Sequence, residues 1–232
     1  MINIPATGNQ IHHVSSFNEL VSTPFDEAIN AICWKRTLQG DFEEIVNKGA
    51  SNENITVLDP EALDALQLSE QGQLARAILL ADYHLLKAHG ALPTLNIIKY
   101  YERDDDNLFF PTDVYSFHAD RSPVPADTFL CTYYGAPSEL LPNAQAIQKV
   151  LIPEIRDQLK KLHNGPEGEF DSFLSEHYFD LHYTAAPGSS PVSLGIGNMW
   201  RLAIDLPGSK VLPCIHRAPK EKDGQSRLLM IC

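Results

Sequence analysis

The chain has 232 residues, enough for one large domain or for a core domain with a helical addition. With 44% hydrophobic and 21% charged residues, it has the composition of a globular protein that buries a sizeable core. The formal net charge of −12 argues against a general nucleic-acid binder, because such a protein needs a basic face to displace counterions from phosphates. We therefore expect a small molecule as the partner and disfavour a nucleic acid, although the net charge leaves a local basic groove open.

The N-terminal sequence and the cysteine pattern indicate the cellular compartment of the protein. The first ten residues contain no basic segment followed by an apolar one, as a secretory signal would, and no apolar run approaches the ~18 residues that span a membrane. The four cysteines form no C-x-x-C pair, and three of them lie within apolar runs, so we expect reduced and mostly buried thiols. These features predict a cytoplasmic protein without a membrane partner. The sequence leaves a monomer and a homodimer both open.

Residues 1–90 are predicted to form a mainly helical N-terminal layer of a single domain. Short helices are expected near residues 17–29 and 41–48. The strongest helical pattern runs from Pro60 to His89, with Asp59 as the N-cap and Gly90 as the stop. Along it, apolar residues recur at spacings of three and four and predict a face packed on another element: Leu74, Ile78, Ala81 and Leu85.

Residues 91–232 are predicted to form the β-rich core of the domain. Runs of β-branched and aromatic residues predict strands at 95–101, 113–118, 128–134, 199–204, 211–216 and 227–231. One helix, Asn143 to His163, is predicted to be inserted among them. Helices followed by many short strands favour an α+β fold in which a helical layer covers one sheet. A double-stranded β-helix, or jelly-roll, fits the strand count, and ligands bind at the mouth of such a barrel.

His118-Ala119-Asp120 is the first candidate for a functional site. Successive side chains of a strand point to opposite faces, so His118 and Asp120 point the same way and can chelate one metal ion. Imidazole nitrogen combined with a carboxylate suits Fe(II), Mn(II) or Zn(II). The pair is weak evidence by itself, since nine histidines in an acidic chain give roughly one such pair by chance.

A second histidine and an arginine strengthen this candidate. Among the histidines that follow Asp120, only His216 has an Arg or Lys nine to eleven residues further on, and that residue is Arg227. His216 closes one predicted strand and Arg227 opens the last, so a loop between antiparallel strands would return Arg227 to the metal. An arginine can hold a carboxylate through two parallel hydrogen bonds.

In this order, His118, Asp120, His216 and Arg227 resemble the ligand set of the Fe(II)/2-oxoglutarate-dependent dioxygenase superfamily. The chain is also similar to an uncharacterised bacterial family known only as a domain of unknown function. That likeness rests on the segments Trp34-Lys35-Arg36, Phe117-His118-Ala119-Asp120, Leu130-Cys131-Thr132-Tyr133-Tyr134-Gly135 and His216-Arg217-Ala218-Pro219.

The superfamily resemblance implies a specific activity. His118, Asp120 and His216 would hold Fe(II) as the catalytic metal, and Arg227 would hold the far carboxylate of 2-oxoglutarate. The enzyme would use O2 to hydroxylate a small molecule or an amino-acid-like group, with release of succinate and CO2. The long interval between Asp120 and His216, which includes the predicted helix, implies an insertion between barrel strands.

Two tyrosines and two arginines near the candidate ligands each have a functional and a structural interpretation. One of Tyr133 and Tyr134 is expected to face the barrel interior, where it would hydrogen-bond the cosubstrate; the alternative is an ordinary core or rim tyrosine. Arg121 and Arg217 flank the ligands and would either grip an anionic substrate or form structural ion pairs.

Two further functions compete with an oxygenase. One is a metal-binding or sensor protein that uses the same cage without turnover. The other is a cupin-like barrel, although that fold adds a Glu and a further His for which no matching run is present. A serine hydrolase is disfavoured, because the chain has no G-x-S-x-G motif.

Overall fold

Two β-sheets form the centre of the fold in a computed structural model, which describes residues 10–104, 109–220 and 224–232. Residues 1–9, which make up most of the segment that would contain a secretory signal, therefore lie outside the described residues. The larger sheet has the strand order β1 (Ile11–Val14), β2 (Ala31–Trp34), β11 (Met199–Ala203), β6 (Asp127–Tyr134), β13 (Arg227–Ile231), β4 (Thr94–Ile98) and β3 (Ile55–Leu58).

The smaller sheet carries the candidate metal ligands. Its strand order is β10 (Val192–Ser193), β7 (Glu139–Leu141), β12 (Ile215–Arg217), β5 (Phe117–His118), β9 (His182–Ala185) and β8 (Ala146–Gln148). Its neighbouring strands are antiparallel. In the larger sheet β1 and β2 pair in parallel, and the other neighbours are antiparallel.

Four helices contribute to a layer on the larger sheet: α1 (Phe17–Ser22), α2 (Phe42–Gly49), α3 (Pro60–Ala65) and α4 (Glu70–Ala88). Their buried residues form one apolar cluster with the strand residues Phe129, Cys131, Leu228 and Met230. The chain thus has the mixed α+β architecture that its sequence predicts. Among the described residues, no helix combines the length and the apolar character that crossing a membrane requires.

Strand alternation divides the core into two layers. Phe129 and Cys131 of β6 pack on the helices, whereas Leu130 joins a second cluster with Leu140 of the smaller sheet. In β13, Leu229 belongs to the same second cluster. This alternation decides which side chains of β6 and β13 lie between the two sheets.

The N-terminal region differs from its prediction in two respects. It contributes three strands, β1 to β3, which the sequence reading missed because each has only four residues and depends on pairing with distant segments. The predicted helix from Pro60 to His89 is two helices, since Ser69 begins the second by accepting a hydrogen bond from Gly72. Asp59 does cap α3, and Gly90 follows α4 with a φ of 96°.

The packed face of α4 was predicted one residue out of register. Leu74 and Leu85 are exposed, and the buried stripe runs through Ala75, Leu79, Asp82 and Leu86. The stripe contains a carboxylate, Asp82, which forms an ion pair with Arg36. Hydrophobic periodicity could not identify this face, because a buried carboxylate is expected only where an opposite charge offsets its desolvation, and Arg36 lies far from Asp82 in the sequence.

The insertion lies between β7 and β10 and contains more helices and strands than the single helix that was predicted. The expected helix at 143–163 exists only as α5 (Pro153–His163), where Pro153 occupies the first turn. The preceding residues form two short 3-10 turns flanking β8. A further helix, α6 (Phe170–Glu176), and strand β9 complete the insertion, and β9 pairs with β5.

Candidate metal centre

The pairing of β5 with β12 brings the predicted ligands together. His118 and His216 are direct cross-strand partners, so their side chains project from the same face of the sheet. Asp120 follows two residues after His118. The backbone N–H of Asp205 donates to the carbonyl of Asp120 at 2.7 Å, which holds this residue beside the strand end.

These three side chains form a cluster that could hold a metal ion. Nε2 of His118 lies 3.9 Å from Oδ1 of Asp120, and Nε2 of His216 lies 3.7 Å from Oδ2. One ligand atom from each of the three residues lies within 4.8 Å of the others. The predicted His-Asp-His cluster is therefore present in the fold.

Backbone carbonyl groups orient both imidazole rings. Nδ1 of His118 lies 2.8 Å from the carbonyl oxygen of Ser116, and Nδ1 of His216 lies 3.4 Å from that of Cys214. A carbonyl oxygen only accepts, so Nδ1 carries the hydrogen in both rings. Each Nε2 then keeps its lone pair on the side of Asp120, which is the tautomer that a metal ligand needs.

The pKa shifts favour metal binding as well. Burial, followed by the charge of His216, lowers the pKa of His118 to about 4, so this ring is neutral at neutral pH. Burial raises the pKa of Asp120, but His216, a hydrogen bond from Thr128 and His118 together outweigh it and leave the pKa below its usual range. A neutral imidazole and an ionised carboxylate are the forms that coordinate a cation.

Thr128 supports the carboxylate from the other sheet. Its hydroxyl group donates to Oδ2 of Asp120 from the second position of β6. Sequence reasoning missed Thr128; a hydroxyl group in a buried strand is a signal, but Thr132 of the same strand carries it as well, so the sequence did not single out Thr128. The hydrogen bond from Thr128 fixes the orientation of the Asp120 carboxylate and favours its ionised form.

A cavity of about 270 Å³ opens beside the cluster. Its walls include His118 and Asp120, Val114 from the preceding loop, and Leu181 and His182 from the insertion. Two imidazoles and one carboxylate would occupy one face of a bound ion and leave its other positions accessible, the donor set of non-haem Fe(II) sites. The residues present thus fit a metal ion.

Arg227 enters the space between the sheets from β13. It is only 5% exposed, and its Nη2 donates to the hydroxyl group of Ser138 at 3.0 Å, next to strand β7. Gly135 permits this approach: a Cβ there would lie 2.6 Å from the carbonyl oxygen of Ser226 and 3.0 Å from Cα of Arg227. Arg227 does not line the cavity beside His118 and Asp120.

The two predicted tyrosines lie on the helical side of the larger sheet. The hydroxyl group of Tyr133 donates to Oδ2 of Asp82, and that of Tyr134 donates to Oε1 of Glu43, each at 2.7 Å. Both side chains pack in the cluster beneath the helices. The structure does not bring either tyrosine together with the metal cluster.

The flanking arginines form ion pairs. Arg121 is bound by Asp180 and Asp205, both at 2.6 Å, and Arg217 by Glu139 at 2.6 Å. These ion pairs favour a structural role for Arg121 and Arg217 over the binding of an anionic substrate.

A separate cavity of about 590 Å³ lies near His89, Leu92 and the start of β6. Its charged residues Asp127 and Arg201 pair with each other at 2.6 Å. None of the three candidate ligands lines it, so it is not the space into which a bound metal would open.

No family model, curated protein or solved structure matches this chain. The His-Asp-His cluster and the mixed α+β fold that carries it are shown, whereas membership of the dioxygenase superfamily is not confirmed.

Proposed function

We propose that the protein is an Fe(II)- and 2-oxoglutarate-dependent oxygenase that hydroxylates a small molecule or an amino-acid-like group. In the overall reaction, one oxygen atom of O2 enters a substrate C–H bond and the other enters succinate, while 2-oxoglutarate loses CO2. The observation that carries the proposal is the cluster of His118, Asp120 and His216, with both imidazole Nε2 atoms turned toward the carboxylate.

The course of the chain between the two sheets supports a double-stranded β-helix. Strands β4, β6, β11 and β13 lie in the larger sheet, and β5, β7, β10 and β12 lie in the smaller one. The chain thus crosses from sheet to sheet as it builds both halves, as a jelly-roll requires. The insertion with β8 and β9 then extends the smaller sheet beyond β5.

Each residue has a defined role in the proposed enzyme. His118, Asp120 and His216 hold Fe(II), Thr128 orients the carboxylate, and Arg227 with Ser138 binds the far carboxylate of 2-oxoglutarate. Bound together, the ion and the keto acid supply the oxidising power for hydroxylation, and the protein positions and shields them. A buried arginine suits a dianionic cosubstrate, because its planar donors match a carboxylate in a site with little competing water.

The decisive experiment is anaerobic addition of Fe(II) and then 2-oxoglutarate, while the visible absorption of the iron chelate is followed. We expect a charge-transfer band with the wild-type protein and none with His118→Ala. Admission of O2 should then release succinate, which is measured by mass spectrometry. Absence of both the band and succinate from the metal-loaded protein would refute the proposal.

A matched pair of arginine variants tests the cosubstrate site. Arg227→Ala should weaken 2-oxoglutarate binding at least tenfold, whereas Arg217→Ala should leave it unchanged, because Arg217 pairs with Glu139 on a neighbouring strand. Tight Zn(II) binding without any response to 2-oxoglutarate would instead favour a metal-binding or sensor protein.

A further inference from the structure

Tyr178 lines the cavity beside the metal cluster and has an unusual backbone conformation. Its φ of 59° and ψ of 12° lie in the left-handed region, which bulky residues rarely adopt. Among the described residues, Asn164 is the only other non-glycine residue with a positive φ, and asparagine tolerates this conformation well. A bulky residue held in this way costs free energy, and such residues concentrate at functional sites.

The fold gains little from an aromatic side chain at this position. Tyr178 is 58% exposed, and within the part of the chain that the structure describes its side chain forms no hydrogen bond and no contact with another ring. Glycine or asparagine would meet the demands of the backbone at a lower cost. The tyrosine ring therefore fits a role toward a molecule in the cavity better than a role in folding.

The cavity has an excess of negative charge among the described residues. Four carboxylates and one cation lie in its wall or bond to a residue of the wall: Asp104, Asp120, Asp180, Asp205 and Arg121. The cation is already bound by two of these carboxylates at 2.6 Å each. A third, Asp104, accepts hydrogen bonds from the backbone N–H and the hydroxyl group of Thr112.

Lys149 does not remove this excess. Its Nζ donates to the hydroxyl group of Ser116 at 2.6 Å, and Asp113 accepts a hydrogen bond from the backbone N–H of the same residue at 3.3 Å. These two opposite charges therefore offset each other beside Ser116, which is not part of the cavity wall. The charges of a divalent metal ion and of dianionic 2-oxoglutarate are also equal and opposite, so the negative excess would persist in the loaded site.

We infer that the substrate of the proposed oxygenase carries a cationic group, an ammonium or a guanidinium, and that this group binds in the cavity against the ring of Tyr178. A cation is attracted both by the negative face of an aromatic ring and by carboxylates that no other cation neutralises, whereas an anion is repelled by both. This inference rests on the proposed function, which makes the cavity the place where the substrate meets the metal. It specifies a substrate class that the ligand set alone does not.

The test uses the full-length, metal-free chain labelled with 13C in the methyl groups of its leucines. Leu181 lines the cavity and is the reporter; its resonances are assigned by their absence from Leu181→Ile. Three probes of similar size are titrated at pH 7.5 in low-salt buffer: propylammonium, propanamide and propionate. We expect propylammonium to bind at least threefold more tightly than either of the others. Equal affinities, or a preference for propanamide or propionate, would overturn the inference.

Variants of Tyr178 separate a ligand contact from a role in the fold. Tyr178→Phe keeps the ring and should bind propylammonium within twofold of wild type. Tyr178→Asn removes the ring and should weaken binding at least threefold, yet its free energy of unfolding in urea should equal or exceed that of wild type, because asparagine tolerates the left-handed backbone. Equal propylammonium affinities of the two variants would refute the contact, and a loss of stability in Tyr178→Asn would assign the ring to the fold instead.

Variants of the carboxylates test the charge. Asp180→Asn keeps an acceptor for Arg121 but removes one negative charge, so propylammonium should bind at least twofold more weakly. The matched control is Asp171→Asn, an exposed residue of α6 outside the cavity wall, which should bind like wild type. Equal losses in these two variants would contradict a local effect.

A final arm uses Asp120→Asn, because propylammonium could also pair with the metal-binding carboxylate of the metal-free chain. The preference for propylammonium should persist in this variant, since Asp180 and Asp205 remain. If the preference disappears, the probe occupies only the metal position and the inference is wrong. The titrations require neither iron nor 2-oxoglutarate, so their failure is distinguishable from the absence of chelate band and succinate that would refute the proposed function.

Discussion

His118 and His216 face each other across β5 and β12 with ring centroids 4.7 Å apart, and each turns Nδ1 toward the carbonyl oxygen of the residue two positions earlier. This shared geometry sets both rings in the same tautomer before any metal binds. Preorganisation of this kind reduces the cost of assembling a metal site, because the ligands need little rearrangement.

Removal of a ligand should abolish tight metal binding. We expect His118→Ala, Asp120→Ala and His216→Ala each to lower the affinity for Zn(II) or Co(II) by at least ~100-fold, since the loss of an outer-shell partner alone costs about 10- to 100-fold. Isothermal titration of metal-stripped protein provides the measurement. His177→Ala, an exposed histidine on the insertion, should bind like wild type; an equal loss in that variant would contradict the assignment.

Thr128→Val tests the support of the carboxylate. The substitution keeps the shape of the side chain but removes the hydroxyl group that donates to Asp120, so metal affinity should fall about 10-fold or more. Thr94→Val is the matched control, because its hydroxyl group bonds to the carbonyl oxygen of Ile231 on the surface. Similar affinities for the two variants would show that Thr128 does not tune the site.

Asp82→Ala should be strongly destabilising. Asp82 accepts hydrogen bonds from Arg36 at 2.7 and 2.8 Å and from Tyr133, and the two charged side chains are only 9% and 3% exposed. The variant leaves the Arg36 charge buried without its partner, which costs about 3–5 kcal/mol in the free energy of unfolding. Urea denaturation measures the change.

The control for Asp82 is Asp64→Ala on α3, which removes an exposed partner of Arg76. We expect its unfolding free energy to stay close to that of the wild type, because exposed pairs contribute little. If both variants lose the same free energy of unfolding, burial of the Arg36–Asp82 pair does not explain its contribution to stability.

The thiols should react slowly in the folded protein. Burial raises the pKa of Cys33 and of Cys131 to about 12 and that of Cys232 to about 11, and it also raises the pKa of Cys214. Since the thiolate is the reactive form, labelling with an aromatic disulfide at pH 8 should be far slower than in urea, with Cys232 the first to react. Rapid labelling of all four in native buffer would contradict this.

Acid should destabilise the metal-free protein partly through His182. Burial, then the charges of His118 and Lys149, lower its pKa from 6.5 to about 3. Between these values the unfolded chain binds the additional proton, so the free energy of unfolding falls as the pH falls from about 6.5. Urea denaturation from pH 7 to pH 4.5 should give a shallower fall for His182→Gln, and equal slopes would exclude this contribution.

The sequence by itself determined the mixed α+β class and which residues form the His-Asp-His cluster. His118 and Asp120 share a face because strand alternation is local, and His216 was recognisable from its spacing to Arg227. The cap at Asp59 and the helix stop at Gly90 were also predictable, because a cap depends on a few adjacent residues.

Only the tertiary structure decided what depends on pairing between distant segments. The registers of β9, β5 and β12 place His182 beside His118, although no spacing in the sequence links them. The buried face of α4 is centred on Asp82 because Arg36, far away in the chain, neutralises it. Tyr133 lies beneath the helices for a related reason. A side chain of a strand can project from either face of the sheet, and only the tertiary packing determines which layer covers each face.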